Sequence, residues 1–176
     1  MNIYTYKTSL GDITISSEND AITTIKFCNS GHNMCRHDKC ILSFTGKEYT
    51  PTKLTDLAAD QLEEYFCKKR QVFDLPLRPS GTEFQQSVWN ALLKIPYGET
   101  RSYKQVAEMI GKPKACRAVG MANNKNPIWI VIPCHRVIGS NGKLIGYGGG
   151  IEVKKKLLEL ECRGELCSPE SDVAIQ

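Results

Sequence analysis

Residues 102–124 read SYKQVAEMIGKPKACRAVGMANN, and this stretch decides the fold of the C-terminal half. Ser102 and Gln105 form a capping box, in which the two side chains satisfy free backbone N–H groups at a helix start. Apolar residues follow at helical spacing until Gly111, and Pro113 suits the first turn of a second helix. Two short helices joined by a tight turn indicate a helix-turn-helix or an ordinary αα-hairpin, which is at least as common.

The second helix has one face of small side chains around a single long basic one, Arg117. The small residues are Ala115, Cys116, Ala118, Gly120 and Ala122. Such a face allows close approach either to a neighbouring helix or to a nucleic-acid groove into which Arg117 projects.

Charge and composition restrict the partners. Residues 81–167 hold 13 Lys and Arg against 7 Asp and Glu, whereas residues 1–80 are neutral. A basic half fits a polyanion, although this signal alone is weak. No apolar run reaches the length of a membrane span and no signal-peptide pattern is present. We therefore expect a soluble intracellular protein whose eight cysteines are reduced thiols.

The first half of the chain predicts a small sheet and a helix. Three short β-prone segments are IYTYK (3–7), DITIS (12–16) and AITTIKF (21–27). A helical stripe follows, formed by Leu54, Leu57, Ala58, Leu62, Tyr65 and Phe66. The expected organisation is an N-terminal α/β domain (1–75), a linker (76–81), a C-terminal domain (82–167) and a flexible tail (168–176).

Further elements are expected in the C-terminal domain. TEFQ (82–85) is a capping box that begins a helix, and residues 151–162 form the last helix. IWIVI (128–132) predicts a strand buried on both faces. Val137-Ile138 and Leu144-Ile145 predict a hairpin closed by an Asn-Gly turn.

Cys134 and His135 are the first candidates for chemistry. A thiolate is a nucleophile, and an adjacent imidazole can serve as its base. Glu161 shares a helical stripe with Val153 and Leu157, so a buried carboxylate is expected to find a partner in His135. Two alternatives stay open, namely a buried free cysteine beside a structural histidine and a Glu161 turned to water at a frayed helix end.

A second cluster combines thiols and imidazoles within a short segment. Its members are Cys28, His32, Cys35, His37 and Cys40. Because the spacing is unlike the paired Cys motifs of zinc sites, a polar surface loop is the favoured interpretation, and no metal site is predicted.

Five motifs follow one another in a fixed order. They are IPYGETRSY (95–103), KACRAVGMANNKNP (114–127), IPCHRVIG (132–139), GYGGG (146–150) and LLELE (157–161). With them the sequence resembles the O6-alkylguanine-DNA alkyltransferases, also called methylated-DNA–protein-cysteine methyltransferases, specifically over 80–162 and more loosely over 1–75. This resemblance implies an α+β fold. A small antiparallel sheet plus helix (ribonuclease-H-like) precedes a mostly helical, winged helix-turn-helix-like DNA-binding and catalytic domain.

The resemblance also implies a reaction. Such proteins flip an O6-alkylated guanine out of duplex DNA by way of the minor groove, since chemistry on a stacked base requires its extrusion. The cysteine takes the alkyl group by in-line displacement and keeps it, so each molecule acts once, without a cofactor. O4-alkylthymine is a further candidate substrate. The implied protein is a monomer that binds double-stranded DNA and no membrane, cytoplasmic in a prokaryote and nuclear in a eukaryote.

Roles carry over to individual residues through the matching motifs. Cys134 matches the alkyl acceptor, His135 the base that works through a water, and Glu161 the carboxylate that orients it. Asn126 matches the brace of the active-site turn, and Tyr103 the group that helps to protonate the departing base.

The same motifs assign a DNA face and a pocket. Arg117 matches the residue that fills the vacated base stack, and the face around it is formed by Ala115, Ala118, Tyr103 and Ala122. The pocket is assigned to Tyr147, Gly148 and Val137, with the carbonyls of Cys134 and Val137 reading the guanine amino group, and Trp89, outside the motifs, is a further candidate for it. Gly148 stands where some members of the family carry serine. A non-catalytic sensor of alkylated bases and a Cys-His-Glu hydrolase remain the alternatives.

Overall fold

The computed structural model describes residues 1–28 and 50–162. The tail (168–176) and four members of the Cys and His cluster, His32, Cys35, His37 and Cys40, lie outside the described residues. Within the described ranges, no helix is long and apolar enough to cross a membrane. No three His, Cys, Asp or Glu side chains of those ranges are grouped so that they could hold a metal ion.

The N-terminal half is a three-stranded antiparallel sheet covered by one helix. The strands β1 (Asn2–Thr8), β2 (Gly11–Glu18) and β3 (Ala21–Phe27) lie in the order β1-β2-β3. Alternate residues of β2 are fully buried because successive side chains point to opposite faces of a strand. Helix α1 (Lys53–Phe66) packs against this sheet.

The predicted apolar stripe of α1 is wrong at one position. Leu57 is 45% exposed, whereas Ala58 and Leu62 are fully buried. Because one residue turns a helix by about 100°, Leu57 falls at the edge of the stripe that Ala58 centres.

The C-terminal half is mostly helical, and with the N-terminal sheet it confirms the α+β fold. Its helices are α2 (Glu83–Leu92), α3 (Tyr103–Met109), α4 (Cys116–Asn124) and α5 (Ile151–Glu161). Both predicted capping boxes form, at Thr82 with Gln85 and at Ser102 with Gln105. Between α3 and α4, Gly111 has φ +69°, a backbone conformation that favours glycine.

IWIVI (128–132) is not a strand, so this prediction is wrong. Ile128 bridges to Ile25, but the chain reverses at Ile130, which has φ +74°. The N–H of Ile132 donates to the carbonyl of Ile128 at 3.1 Å. Local hydrogen bonds thus satisfy a buried backbone that the sequence pattern assigned to a sheet.

The predicted hairpin is also wrong, although its turn forms. Gly142 has φ +78°, and the N–H of Gly139 donates to the carbonyl of Lys143 at 2.9 Å. The strand β5 (Val137–Ile138) pairs in parallel with β4 (Arg101–Ser102) instead of with Leu144-Ile145. Residues 144–145 do not form a strand, and the carbonyl of Ile145 accepts hydrogen bonds from side chains instead, as described below.

The outer edge of β3 joins the two halves. The N–H of Ile22 donates to the carbonyl of Pro76 at 2.7 Å, within the predicted linker. The N–H of Ile25 donates to the carbonyl of Pro127 at 2.9 Å, and Trp129 N–H donates to Ile25 at 3.0 Å. The segment that leads to Cys134 is therefore fixed to the N-terminal sheet.

The cysteines differ in redox state. The free thiols of the described residues are Cys28, Cys67, Cys116 and Cys134. Cys162 is disulfide-bonded, so the expectation of reduced thiols is wrong there. Composition indicates a redox state for the chain as a whole, whereas a single disulfide depends on one pair of thiols at bonding distance and on an oxidant.

Candidate active site

Cys134 lies at the start of a 3₁₀ turn, Cys134–Arg136, directly after Pro133. The N–H of Cys134 donates to the carbonyl of Ile132 at 2.8 Å, and the residue is 2% exposed. In an extended strand adjacent side chains point to opposite faces, and this turn removes that constraint at Cys134 and His135. The structure therefore supplies the turn that a Cys-His pair of sequence neighbours needs.

Asn126 stabilises this turn through its side-chain amide. Its Nδ2 donates to the carbonyl of Ile132 at 2.8 Å and to the Sγ of Cys134 at 3.0 Å. Its Oδ1 accepts from the N–H of Ile128 at 3.0 Å. One buried amide thus holds both the backbone before the cysteine and the sulfur itself.

His135 and Glu161 form a buried pair, which the place of Glu161 on the buried helical stripe had indicated. Nε2 of His135 lies 2.9 Å from Oε1 of Glu161, and both side chains are excluded from solvent. Since Nε2 donates to a carboxylate, Nδ1 is left as the acceptor, and it has no hydrogen-bond partner among the described residues. Burial lowers the pKa of His135 against the opposing effect of Glu161, so the ring is a neutral base.

Arg136 is a second partner of Glu161 that the sequence reading missed. Its Nη2 lies 2.8 Å from Oε1 of Glu161. Burial alone would raise the pKa of Glu161, but His135 and Arg136 outweigh it and lower this pKa to about 2. The charge of Arg136 inside the apolar segment VIPCHRVI (131–138) is the sequence signal from which a buried ion pair could have been predicted.

The thiol of Cys134 is protonated at rest. Burial raises its pKa to about 11, although the hydrogen bond from Asn126 and the charge of Lys154 act in the opposite direction. A thiol with this pKa needs a base before it can attack a carbon atom.

Lys154 is the other residue that the sequence reading missed. It stands next to Lys155 and Lys156 in the sequence, yet it is fully buried. Its Nζ donates to the carbonyls of Val137 at 2.6 Å and Ile145 at 2.9 Å. Burial lowers its pKa to about 8. The signal was its spacing of three and seven residues from Leu157 and Glu161, which places it on the buried stripe.

The residues predicted for the DNA face are exposed or partly exposed except at one position. Arg117 and Ala118 are exposed on α4, and Ala115 is partly exposed before it. Ala122 is 2% exposed, so its assignment to this face is wrong. Helical periodicity turns position 122 toward the core, where its carbonyl accepts from Nε1 of Trp89 at 2.9 Å.

Tyr103 lies between this face and the cysteine. Its hydroxyl donates to the carbonyl of Ile145 at 3.2 Å. Burial and the proximity of Cys134 raise its pKa, so it remains a proton donor.

The predicted pocket residues Tyr147 and Val137 differ from Trp89 in their surroundings. Tyr147 has a buried hydroxyl close to the thiol of Cys134, and its ring centroid lies 5.7 Å from that of Trp129. The carbonyl of Val137 is held by Lys154. Trp89 is 1% exposed and supports α4 from the core, so the structure gives it a packing role instead of a place in the pocket wall.

The surroundings of position 148 explain why this chain has glycine there. A Cβ at this position would stand 2.5 Å from Cζ2 of Trp129. The indole of Trp129 is anchored by Nε1, which donates to the carbonyl of Asn126 at 2.9 Å. Trp129, to which the sequence reading gave no role, therefore occupies the space of a residue 148 side chain.

Comparison with known proteins identifies the family. The ribonuclease-like domain of 6-O-methylguanine DNA methyltransferase matches residues 1–79, and the DNA-binding domain of the same family matches residues 83–163. A methylated-DNA–protein-cysteine methyltransferase of Mycolicibacterium paratuberculosis is 45% identical over 159 residues, which are 90% of this chain and 91% of that protein. The chain belongs to this family. The resemblance read from the five motifs is thereby confirmed.

Other members of the 6-O-methylguanine DNA methyltransferase family are similar to parts or to most of the chain. The methylated-DNA–protein-cysteine methyltransferase of Methanosarcina barkeri is 65% identical over 104 residues, and this match spans 59% of the chain and 66% of the relative. A crystal structure of Mycobacterium tuberculosis OGT in complex with DNA has a TM-score of 0.80 and 44% identity and covers 92% of each chain.

Proposed function

We propose that the chain repairs DNA by direct reversal of alkylation, transferring the alkyl group of a flipped O6-alkylguanine to Cys134 in a single turnover. The observation that carries this proposal is a buried thiol in the same 3₁₀ turn as a buried imidazole whose Nδ1 has no hydrogen-bond partner among the described residues. The relative from Mycobacterium tuberculosis was crystallised with DNA, which supports a DNA substrate.

The residues of the site divide the reaction between them. His135 takes the proton of Cys134 through Nδ1 and a bridging water, and Glu161 stabilises the imidazolium that forms. The thiolate displaces O6 in line, so that a C–S bond forms as the C–O bond breaks. The electron pair returns to guanine, and Tyr103 helps to protonate the departing base. The product is a stable thioether, so the protein is consumed.

The DNA-binding step uses α4 in the minor groove. Arg117 and Ala118 are exposed on this helix, and small residues permit close approach to the groove. Arg117 enters the base stack and fills the space that the flipped guanine leaves. Because the minor groove distinguishes bases poorly, the pocket and the ease of flipping select the lesion.

Mass spectrometry of the Cys134 peptide tests the proposal. After incubation with an O6-methylguanine duplex, this peptide is expected to gain one methylene unit in wild-type protein and in Cys67→Ala, the matched variant at an exposed thiol. Cys134→Ala is expected to show no methyl transfer. Tight binding of the duplex without an adduct would identify a sensor, and repeated turnover of an ester would identify a hydrolase; either result overturns the proposal.

A further inference from the structure

Tyr65, in the last turn of α1, reaches the centre of the active site from the N-terminal domain. Its hydroxyl donates to Oε1 of Glu161 at 2.6 Å and lies 3.5 Å from Nε2 of His135. The residue is fully buried. The backbone contacts at β3 already join the two halves of the chain. This hydrogen bond adds a direct link from the ribonuclease-like domain to the carboxylate that contacts His135.

The ring of Tyr65 is held in place by aromatic neighbours. The ring centroids lie 5.7 Å from Phe66, 5.3 Å from Phe73 and 6.0 Å from Tyr97. Burial and the negative charge of Glu161 raise the pKa of Tyr65 far above its usual range. The hydroxyl is therefore a fixed, neutral donor at neutral pH.

The carboxylate oxygen that Tyr65 contacts is the one that His135 contacts. Each additional donor withdraws negative charge from this oxygen and so weakens its attraction for the imidazole proton. The charged and titratable groups that face His135 are Glu161 and Lys154 from α5, Arg136 from the 3₁₀ turn and Tyr65 from α1. Tyr65 is the neutral member of this group, and its shorter hydrogen bond, at 2.6 Å, is to Glu161 and not to His135.

Glu161 does not depend on Tyr65 for its position. Arg136 contacts both of its oxygens, at 2.8 Å from Oε1 and 2.9 Å from Oε2, and Gly98 N–H donates to Oε2 at 3.1 Å. Loss of the Tyr65 hydroxyl should leave the carboxylate in place, with more negative charge on the oxygen that faces His135.

We propose that Tyr65 is a positioning residue for alkyl transfer, through which the N-terminal domain limits the basicity of His135 by way of Glu161. This role rests on the proposed function, in which His135 is the base for Cys134. Because Tyr65 reduces the negative charge on the Glu161 oxygen that faces His135, the imidazole stays neutral at mildly acidic pH. It can then still accept the thiol proton. Removal of the hydroxyl should make His135 more basic and its neutral form scarcer as the pH falls.

The test compares wild-type protein with Tyr65→Phe and with Tyr6→Phe. Tyr6 is the matched control, because its hydroxyl bonds the other end of the same helix, at 2.8 Å from Thr55 and 2.7 Å from Asp56. Single-turnover methyl transfer from an O6-methylguanine duplex is measured between pH 5 and pH 9. For Tyr65→Phe we expect the acid limb to move up by about 0.5 to 1 pH unit, with the rate on the alkaline plateau within about twofold of wild type. Tyr6→Phe should follow the wild-type profile.

A spectroscopic readout accompanies the rates. The chain has three histidines, so the imidazole signals of ¹⁵N-histidine-labelled protein are few, and His135→Gln assigns the signal of His135. In Tyr65→Phe the Nε2-bound proton of His135 should move downfield, because its hydrogen bond to Glu161 strengthens, and Tyr6→Phe should leave it unchanged.

Several results would overturn the role of Tyr65. An unchanged profile, a uniform loss of rate with an unshifted acid limb, or the same shift in Tyr6→Phe would each reduce Tyr65 to a structural contact. If the wild-type protein transfers no methyl group, the proposed function fails. The resonance of His135 would then still decide whether Tyr65 controls the pair.

Discussion

The ammonium group of Lys154 donates to the backbone carbonyl of Val137 at 2.6 Å, and both residues are fully buried. Val137 follows the 3₁₀ turn of Cys134 directly, and the same ammonium group also holds the carbonyl of Ile145. Tyr103 donates to that second carbonyl. One lysine of α5 thus connects the strand after the cysteine with the segment before GYGGG.

Replacement of Lys154 by methionine should destabilise the protein. The substitution keeps most of the side-chain volume but leaves the buried carbonyl of Val137 without its donor, a change that costs about 1 to 3 kcal/mol in free energy of unfolding. Lys155→Met is the control, since that side chain is 58% exposed, and it should change the free energy by less than about 0.5 kcal/mol. Urea denaturation measures both values. Equal losses in the two variants would contradict the structural role of Lys154.

Cys134 should be unreactive toward simple alkylating reagents at neutral pH. With a pKa of about 11, roughly one thiol in ten thousand is ionised at pH 7. Iodoacetamide should therefore modify the exposed Cys67 at pH 7 and leave Cys134 unmodified, and the labelling of Cys134 should increase as the pH rises toward 11. Peptide mass spectrometry after a timed reaction measures both sites. Labelling of Cys134 as fast as Cys67 at pH 7 would show a thiolate at rest.

Gly148 and Trp129 should be energetically coupled. In Gly148→Ala the new methyl group would meet the indole at 2.5 Å, and the indole is anchored to Asn126. We expect a loss of about 1 to 3 kcal/mol in free energy of unfolding. In a Trp129→Ala background the same substitution should cost much less, which a double-mutant cycle measures. Gly120→Ala is the control, because its Cβ would lie 3.7 Å from the Tyr103 ring; additive effects at 129 and 148 would refute the coupling.

Local signals made part of the fold predictable from sequence. Both capping boxes form because a cap depends on residues three positions apart. Glu161 was found because helical periodicity placed it on a buried stripe, and the same periodicity applied to Lys154 would have found it too. The carbonyl partners of Lys154 lie in segments that the sequence pattern assigned to a hairpin.

Non-local contacts could not be read from the sequence. Tyr65 was predicted as one residue of an apolar stripe, but the hydrogen bond that gives it a role spans 96 positions. Ile130 was placed in a strand because a short apolar run does not reveal a chain reversal stabilised by its own backbone. Trp129 received no role since its neighbour Gly148 has no side chain to indicate the contact.

Arg117 should matter for duplex DNA and not for the chemistry itself. The residue is exposed on α4, and the proposed role is to fill the base stack after the guanine has been flipped. Arg117→Ala should slow methyl transfer from an O6-methylguanine duplex on the order of tenfold or more, because the flipped state loses its replacement for stacking. The rate with free O6-methylguanine base should remain within about twofold of wild type, since no stack has to be filled. Lys69→Ala removes the same charge from an exposed position of the N-terminal domain and should leave both rates unchanged. Equal losses with duplex and free base in Arg117→Ala would exclude an intercalating role and indicate a disturbed pocket instead.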